Sequence, residues 1–112
     1  MIEQTIEDYL TGALDVPVRM QLPENPSGSF VVLQRTGGGS ADHLRSALLA
    51  VQSYGPTLYD AARLNERVVR AMEAAPDALD GLAACALNAD YSYPDAVRKL
   101  HRYQAVFELI YY

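Results

Sequence analysis

The apolar positions change their period several times along the chain, and each change marks an element. Ile2, Ile6, Tyr9, Leu10, Ala13 and Leu14 recur at helical spacing, with Glu3, Gln4, Glu7, Asp8 and Thr11 on the other face. That pattern predicts a helix over residues 2–14. Asp15 and Pro17 end it, because the residue before a proline is pushed out of the helical region. Val16 to Leu22 alternates weakly and predicts a short strand with Val18, Met20 and Leu22 on one face. Leu22 to Ser29, with two prolines and a glycine, is a loop.

Phe30–Thr36 carries β-branched and aromatic residues on both faces and predicts a strand. Gly37, Gly38 and Gly39 are expected to break it, because ordered glycine loses much backbone entropy. Residues 40–46 are expected to be loop or the frayed start of the return strand Ala47–Tyr54. In that strand Leu49 and Val51 share one face, and Leu48 and Gln52 the other. Thr57 followed by Asp60 is a capping-box-like helix start. Ala61, Leu64, Val68, Ala71, Met72 and Ala75 form the apolar stripe of that helix, which Pro76 and Asp77 are expected to stop. Leu82–Leu87 is a short apolar run expected to be a strand, with helix as a competitor because of its alanines. Residues 88–99, broken by Pro94, are expected to be a loop or hairpin connection. Arg102–Tyr112 is a strand with Tyr103, Ala105, Phe107, Leu109 and Tyr111 on one face. The order α-β-β-β-α-β-β implies an α+β two-layer sandwich. Its sheet is mostly antiparallel, with about five strands and both helices on one face.

A chain of 112 residues is one domain by size, residues 1–112. No apolar run approaches the roughly 20 residues needed to cross a bilayer. The acidic, amphipathic N-terminus lacks the basic region of a secretory signal, and cytosolic synthesis is the expectation. The net charge of −5 opposes binding nucleic acid by phosphate neutralisation. Arg63, Arg67 and Arg70 align on the second helix, but Asp60, Glu66 and Glu73 lie among them, as on a solvated, salt-bridged face.

Chemistry-bearing residues do not converge in the sequence. His43 and His101 have no partner at ligand spacing, so no metal is implied. Cys85, the single cysteine, excludes an internal disulfide and lies in an apolar run, as a small core residue does. The triple glycine is followed by neither Lys-Ser/Thr nor a helix, so it does not form a phosphate loop. Asp77 with Asp80, and Glu3 with Glu7, are surface acids. No catalytic residue and no cofactor is assigned. Eight tyrosines against no tryptophan is the one compositional oddity. Tyr91 and Tyr93 flank a serine in an expected loop, where they suit either a protein interface or packing back on their own domain.

The ordered set of motifs resembles the small tail-completion, tail-terminator and head–tail joining proteins of long-tailed bacteriophages and prophages. The resemblance runs through the N-terminal amphipathic helix and Phe30-Val31-Val32-Leu33-Gln34-Arg35-Thr36-Gly37-Gly38, leading into a loop with Asp42. It continues with Leu49-Ala50-Val51-Gln52-Ser53-Tyr54, Ala61-Ala62-Arg63-Leu64 and Arg102-Tyr103-Gln104-Ala105-Val106-Phe107-Glu108-Leu109. It implies a non-enzymatic α+β subunit of the virion, assembled in the host cytoplasm. Such subunits form a ring, commonly a hexamer, at the head-proximal end of the tail. The implied partners are further copies of the chain, the major tail tube protein and the head connector or neck proteins, with DNA only passing through the lumen and no membrane. The glycine run is longer than the pair expected of the family, which leaves the station open between tail terminus and connector side. The readings that compete are a connector-side head-completion protein and a small-molecule-binding α+β domain. Residues 35–46 and 88–95 are the expected contacts with neighbouring subunits or the tube, through Arg35, Gly37, Gly38, Gly39, Asp42, His43, Tyr91 and Tyr93.

Overall fold

A computed structural model describes all 112 residues. Two helices and five strands follow in the order α1 (Ile2–Ala13), β1 (Val18–Arg19), β2 (Phe30–Ala41), β3 (Leu44–Gly55), α2 (Leu58–Ala78), β4 (Leu82–Ser92) and β5 (His101–Tyr111). The strands form one sheet in the order β1-β2-β3-β5-β4. All pairings are antiparallel except β1 with β2. The fold is the expected α+β two-layer sandwich.

One face of the sheet is covered. Ile2, Ile6 and Leu10 of α1 and Leu64, Val68 and Met72 of α2 pack on Val31, Leu33, Leu49, Val51, Ala105, Phe107 and Leu109. This is the alternate set of strand residues that a period of two predicts. Tyr9 ties the helices together by donating its hydroxyl to the Ala71 carbonyl at 2.7 Å. Thr57 caps α2: its Oγ1 accepts from the Asp60 amide at 3.1 Å and donates to the Asp60 carboxylate at 2.9 Å. The far face carries only a small cluster, Phe30, Val32 and Tyr54 with Leu22 and Leu100 against it. No helix covers that face.

Five boundaries differ from those expected. The first strand shrinks to Val18–Arg19, because Pro17 precedes it and the chain then turns away toward Pro23. The glycine run lies inside β2, not in a connection, since Gly37, Gly38 and Gly39 pair with Leu48, Ala47 and Ser46 of β3. Consequently β3 begins at Leu44. Helix α2 passes through Pro76, whose missing amide forgoes one bond, to the Met72 carbonyl, and the helix closes with the Leu79 amide donating to the Ala75 carbonyl at 2.9 Å. Finally, β4 runs on to Ser92 because β5 offers a partner of equal length, and Tyr91 stands in a strand. Segment 82–87 is strand, not helix. No helix is long and apolar enough to cross a membrane.

Candidate functional site

The expected site residues fall into two groups on opposite edges of the sheet. Arg35, Gly37, Gly38, Gly39, Asp42 and His43 belong to the outer half of the β2–β3 hairpin, and Tyr91 and Tyr93 to β4 and the loop after it. Strands β3 and β5 stand between them, so one subunit does not bring the groups together.

The hairpin closes on the pair Ala41 and Leu44, leaving two turn residues, Asp42 and His43, at φ 51° and 68°. Two successive left-handed residues make the tight turn whose twist suits antiparallel strands. A bulge between Arg35 and Gly37 then reverses which way the following residues point. Arg35 lies on the helix side. Its Nε donates to the Gly37 carbonyl at 3.2 Å, and its guanidinium stands 3.9 Å from Glu3 of α1. Beside it, a Cβ on Gly38 would collide with the Arg35 guanidinium and come within 2.6 Å of the Ser46 carbonyl. The glycine gives the arginine its place. Gly39 has no comparable need, with nothing nearer than Ser46 Oγ at 3.8 Å.

On the face without helices, a polar and aromatic network crosses four strands. Gln52 Nε2 donates to Gln104 Oε1 at 2.9 Å, and Gln104 in turn donates to the Tyr91 hydroxyl. Tyr54 stacks on Phe30 with centroids 4.6 Å apart. Arg102 donates to the Tyr54 hydroxyl at 3.1 Å and to the Tyr93 carbonyl at 2.6 Å, with its guanidinium 4.3 Å above the Tyr93 ring. Asp95 completes the group by accepting from the Arg98 amide at 3.0 Å and pairing with Arg98 at 3.2 Å and Arg102 at 3.9 Å. The amide hydrogen bond from Arg98, together with the two guanidinium groups, holds the Asp95 carboxyl below the usual carboxylate range despite its burial. Tyr93 thus has Arg102 over one face of its ring and stays 44% exposed.

Gln52, Arg102 and Gln104 lie within the strand motifs read from the sequence but not among the expected site residues, and Asp95 is in neither, although the Asp95-x-x-Arg98 spacing is a local turn signal. A shallow groove of about 470 Å³ lies beside this network, between Met20, Leu22, Gln52, Tyr93 and Arg98. Its charged groups are already paired with one another. Cys85 points to the helix side, half-buried, and burial together with the nearby Glu73 carboxylate pushes its thiol up to about 11. No group of three His, Cys, Asp or Glu side chains is placed to hold a metal.

Both edges of the sheet are open. Strand β1 pairs only with Val31 and Val32, so β2 has no outer partner from Leu33 onward. Strand β4 has none along its length. An open edge presents a row of unpaired amides and carbonyls to any strand of matching length. From Leu82 to Ala89, β4 has none of the lysines or prolines that blunt such edges.

Comparison with protein-family models and with curated proteins finds no match to this chain.

Proposed function

We propose that this chain is a non-enzymatic virion-assembly protein of a long-tailed bacteriophage or prophage. It forms a ring from copies of itself at the head-proximal end of the tail, ends the tail tube and joins it to the head connector. The observation that carries the proposal is the incompleteness of the sheet: one face covered by helices, the other without them, and both edges unpaired. Such a subunit buries its remaining surface by meeting neighbours, and two different free edges suit the head-to-tail contact that a ring requires. The ordered motifs from Phe30 to Tyr54 and from Arg102 to Leu109 supply the link to tail-completion proteins. An acidic subunit, with a net charge of −5, also suits a lumen through which DNA must slide without binding.

The test is to add the purified protein to tail tubes assembled without a terminator and to image the ends. Rings on one end of each tube, with tube growth arrested, are expected. A protein that ignores tubes and remains a monomer in their presence would overturn the proposal.

A further inference from the structure

The hydrogen-bonding phase of both free edges can be read from a few anchored bonds. The Val31 amide donates outward, to Pro17 at 2.9 Å. Alternation then turns the backbone groups of Leu33 and Arg35 outward as well. The bulge at Thr36 shifts the phase, so that Gly38 and Ser40 face outward beyond it. On the other edge, the Tyr93 amide donates inward to Arg102 at 2.9 Å, which leaves Asp90 facing outward. A second bulge, between Leu87 and Ala89, shifts the phase again and turns Leu87 and Cys85 outward. Both edges thus expose the same rhythm. On β2 it runs 35, bulge, 38, 40, and on β4, read backwards, 90, bulge, 87, 85.

The strands also run the right way. β2, β3, β5 and β4 alternate in direction, so β2 and β4 are antiparallel. A neighbour that continues the sheet in the same orientation lays its β2 antiparallel to β4. Matching bulge to bulge sets Arg35 opposite Asp90, Gly38 opposite Leu87 and Ser40 opposite Cys85.

We infer that β4 of one copy pairs with the outer half of β2 of the next in this register, with Arg35 and Asp90 forming an ion pair across the junction. Directly opposed residues share a face, with Cβ atoms roughly 4.5–5.5 Å apart. Both side chains lie on the helix side: Arg35 reaches Glu3 of α1, and Asp90 accepts from Asn65 of α2 at 2.6 Å. Leu87, 40% exposed in the single chain, comes opposite Gly38, beside the Arg35 guanidinium that lies across that glycine. Charge selects this partner over a β4–β4 pairing. Near β4 lie Asp77, Asp80 and Asp90, whereas β2 and its return strand carry Arg35 and Arg45. Two copies of β4 would bring acid to acid.

This inference rests on the self-association proposed above, and charge reversal separates the two. Arg35→Glu and Asp90→Arg each place like charges across the junction, which costs affinity. Each variant alone is expected to assemble at least tenfold more weakly than the wild type by analytical ultracentrifugation and on tail tubes. An equimolar mixture of the two, and the double variant, are expected to recover assembly. Assembly by the wild type with no loss in either variant, or with no recovery in the mixture, overturns the register and leaves the ring standing. A wild type that never associates, with or without tubes, overturns both. Amide hydrogen exchange on the wild type gives a second readout that needs no variant. The amides of Arg35, Gly38, Ser40, Cys85, Leu87 and Asp90 are expected to gain protection on assembly, and unchanged exchange there sinks the pairing.

Discussion

Arg35 lies across Gly38, so that the two residues share a space only one side chain can fill. The central glycine of the triplet is therefore a steric requirement, while Gly39 beside it is not. Gly38→Ala is expected to destabilise the fold by about 1–3 kcal/mol, the usual cost of forcing a side chain into occupied space. Gly39→Ala is expected to be neutral or to stabilise by up to about 1 kcal/mol, through the unfolded state. Urea denaturation of the two variants checks the contrast, and equal effects would remove the distinction.

A second close approach joins the end of β3 to the start of α2. A Cβ on Gly55 would come within 2.7 Å of the Ala61 backbone nitrogen and 2.9 Å of Asp60 Cβ. Gly55→Ala is expected to push the helix off the sheet and to cost about 1–3 kcal/mol. Thr57→Ala, which removes only the cap, is expected to cost about 1 kcal/mol. Thermal unfolding distinguishes them, with Gly55→Ala the lower-melting variant.

The Asp95 carboxyl has its affinity for protons lowered by the Arg98 amide and the guanidinium groups of Arg98 and Arg102. A depressed carboxyl contributes stability above its unfolded value of about 4, and that contribution is lost as pH falls through the folded value. Asp95→Asn is therefore expected to destabilise the protein at pH 7 and to flatten the fall in stability below about pH 4. Melting temperatures between pH 3 and 7 give the measurement. A variant whose curve stays parallel to the wild type would disprove the linkage.

Cys85 sits against the core with its thiol pushed up to about 11 by burial and by Glu73. Because the thiolate is the reactive form, alkylation of the native protein at pH 8 is expected to be much slower than alkylation in denaturant. Its rate should keep rising with pH toward 11. A thiol that reacts as fast as a free one would show that the side chain is open to water.

The helices and the inner strands were legible because their periods are long and consistent. The alternate residues Val31 and Leu33, Ala47, Leu49 and Val51, and Ala105, Phe107 and Leu109 all lie in the core under the helices. The outer half of β2 was not legible. Gly37, Gly38 and Gly39 have low strand propensity, and their pairing depends on Leu48, Ala47 and Ser46 being held in place by β5. The same partner strand extends β4 through Asn88 to Ser92, where polarity and a bulge hide the pattern. Tyr91 and Tyr93 looked alike in sequence, yet one stands in a strand, on the face without helices, and the other packs under Arg102.

Periodicity, capping residues and turn formers by themselves determined an α+β chain with its elements in this order, because each is a local preference written over neighbouring residues. Strand order, the two open edges and their matched bulges were decided only by tertiary packing, which sets who pairs with whom across tens of residues. The placement of Arg35 and Asp90 at opposite edges, on the same side of the sheet, follows from that order and from two single-residue phase shifts. No local pattern carries those shifts, because a bulge is a property of a pair of strands.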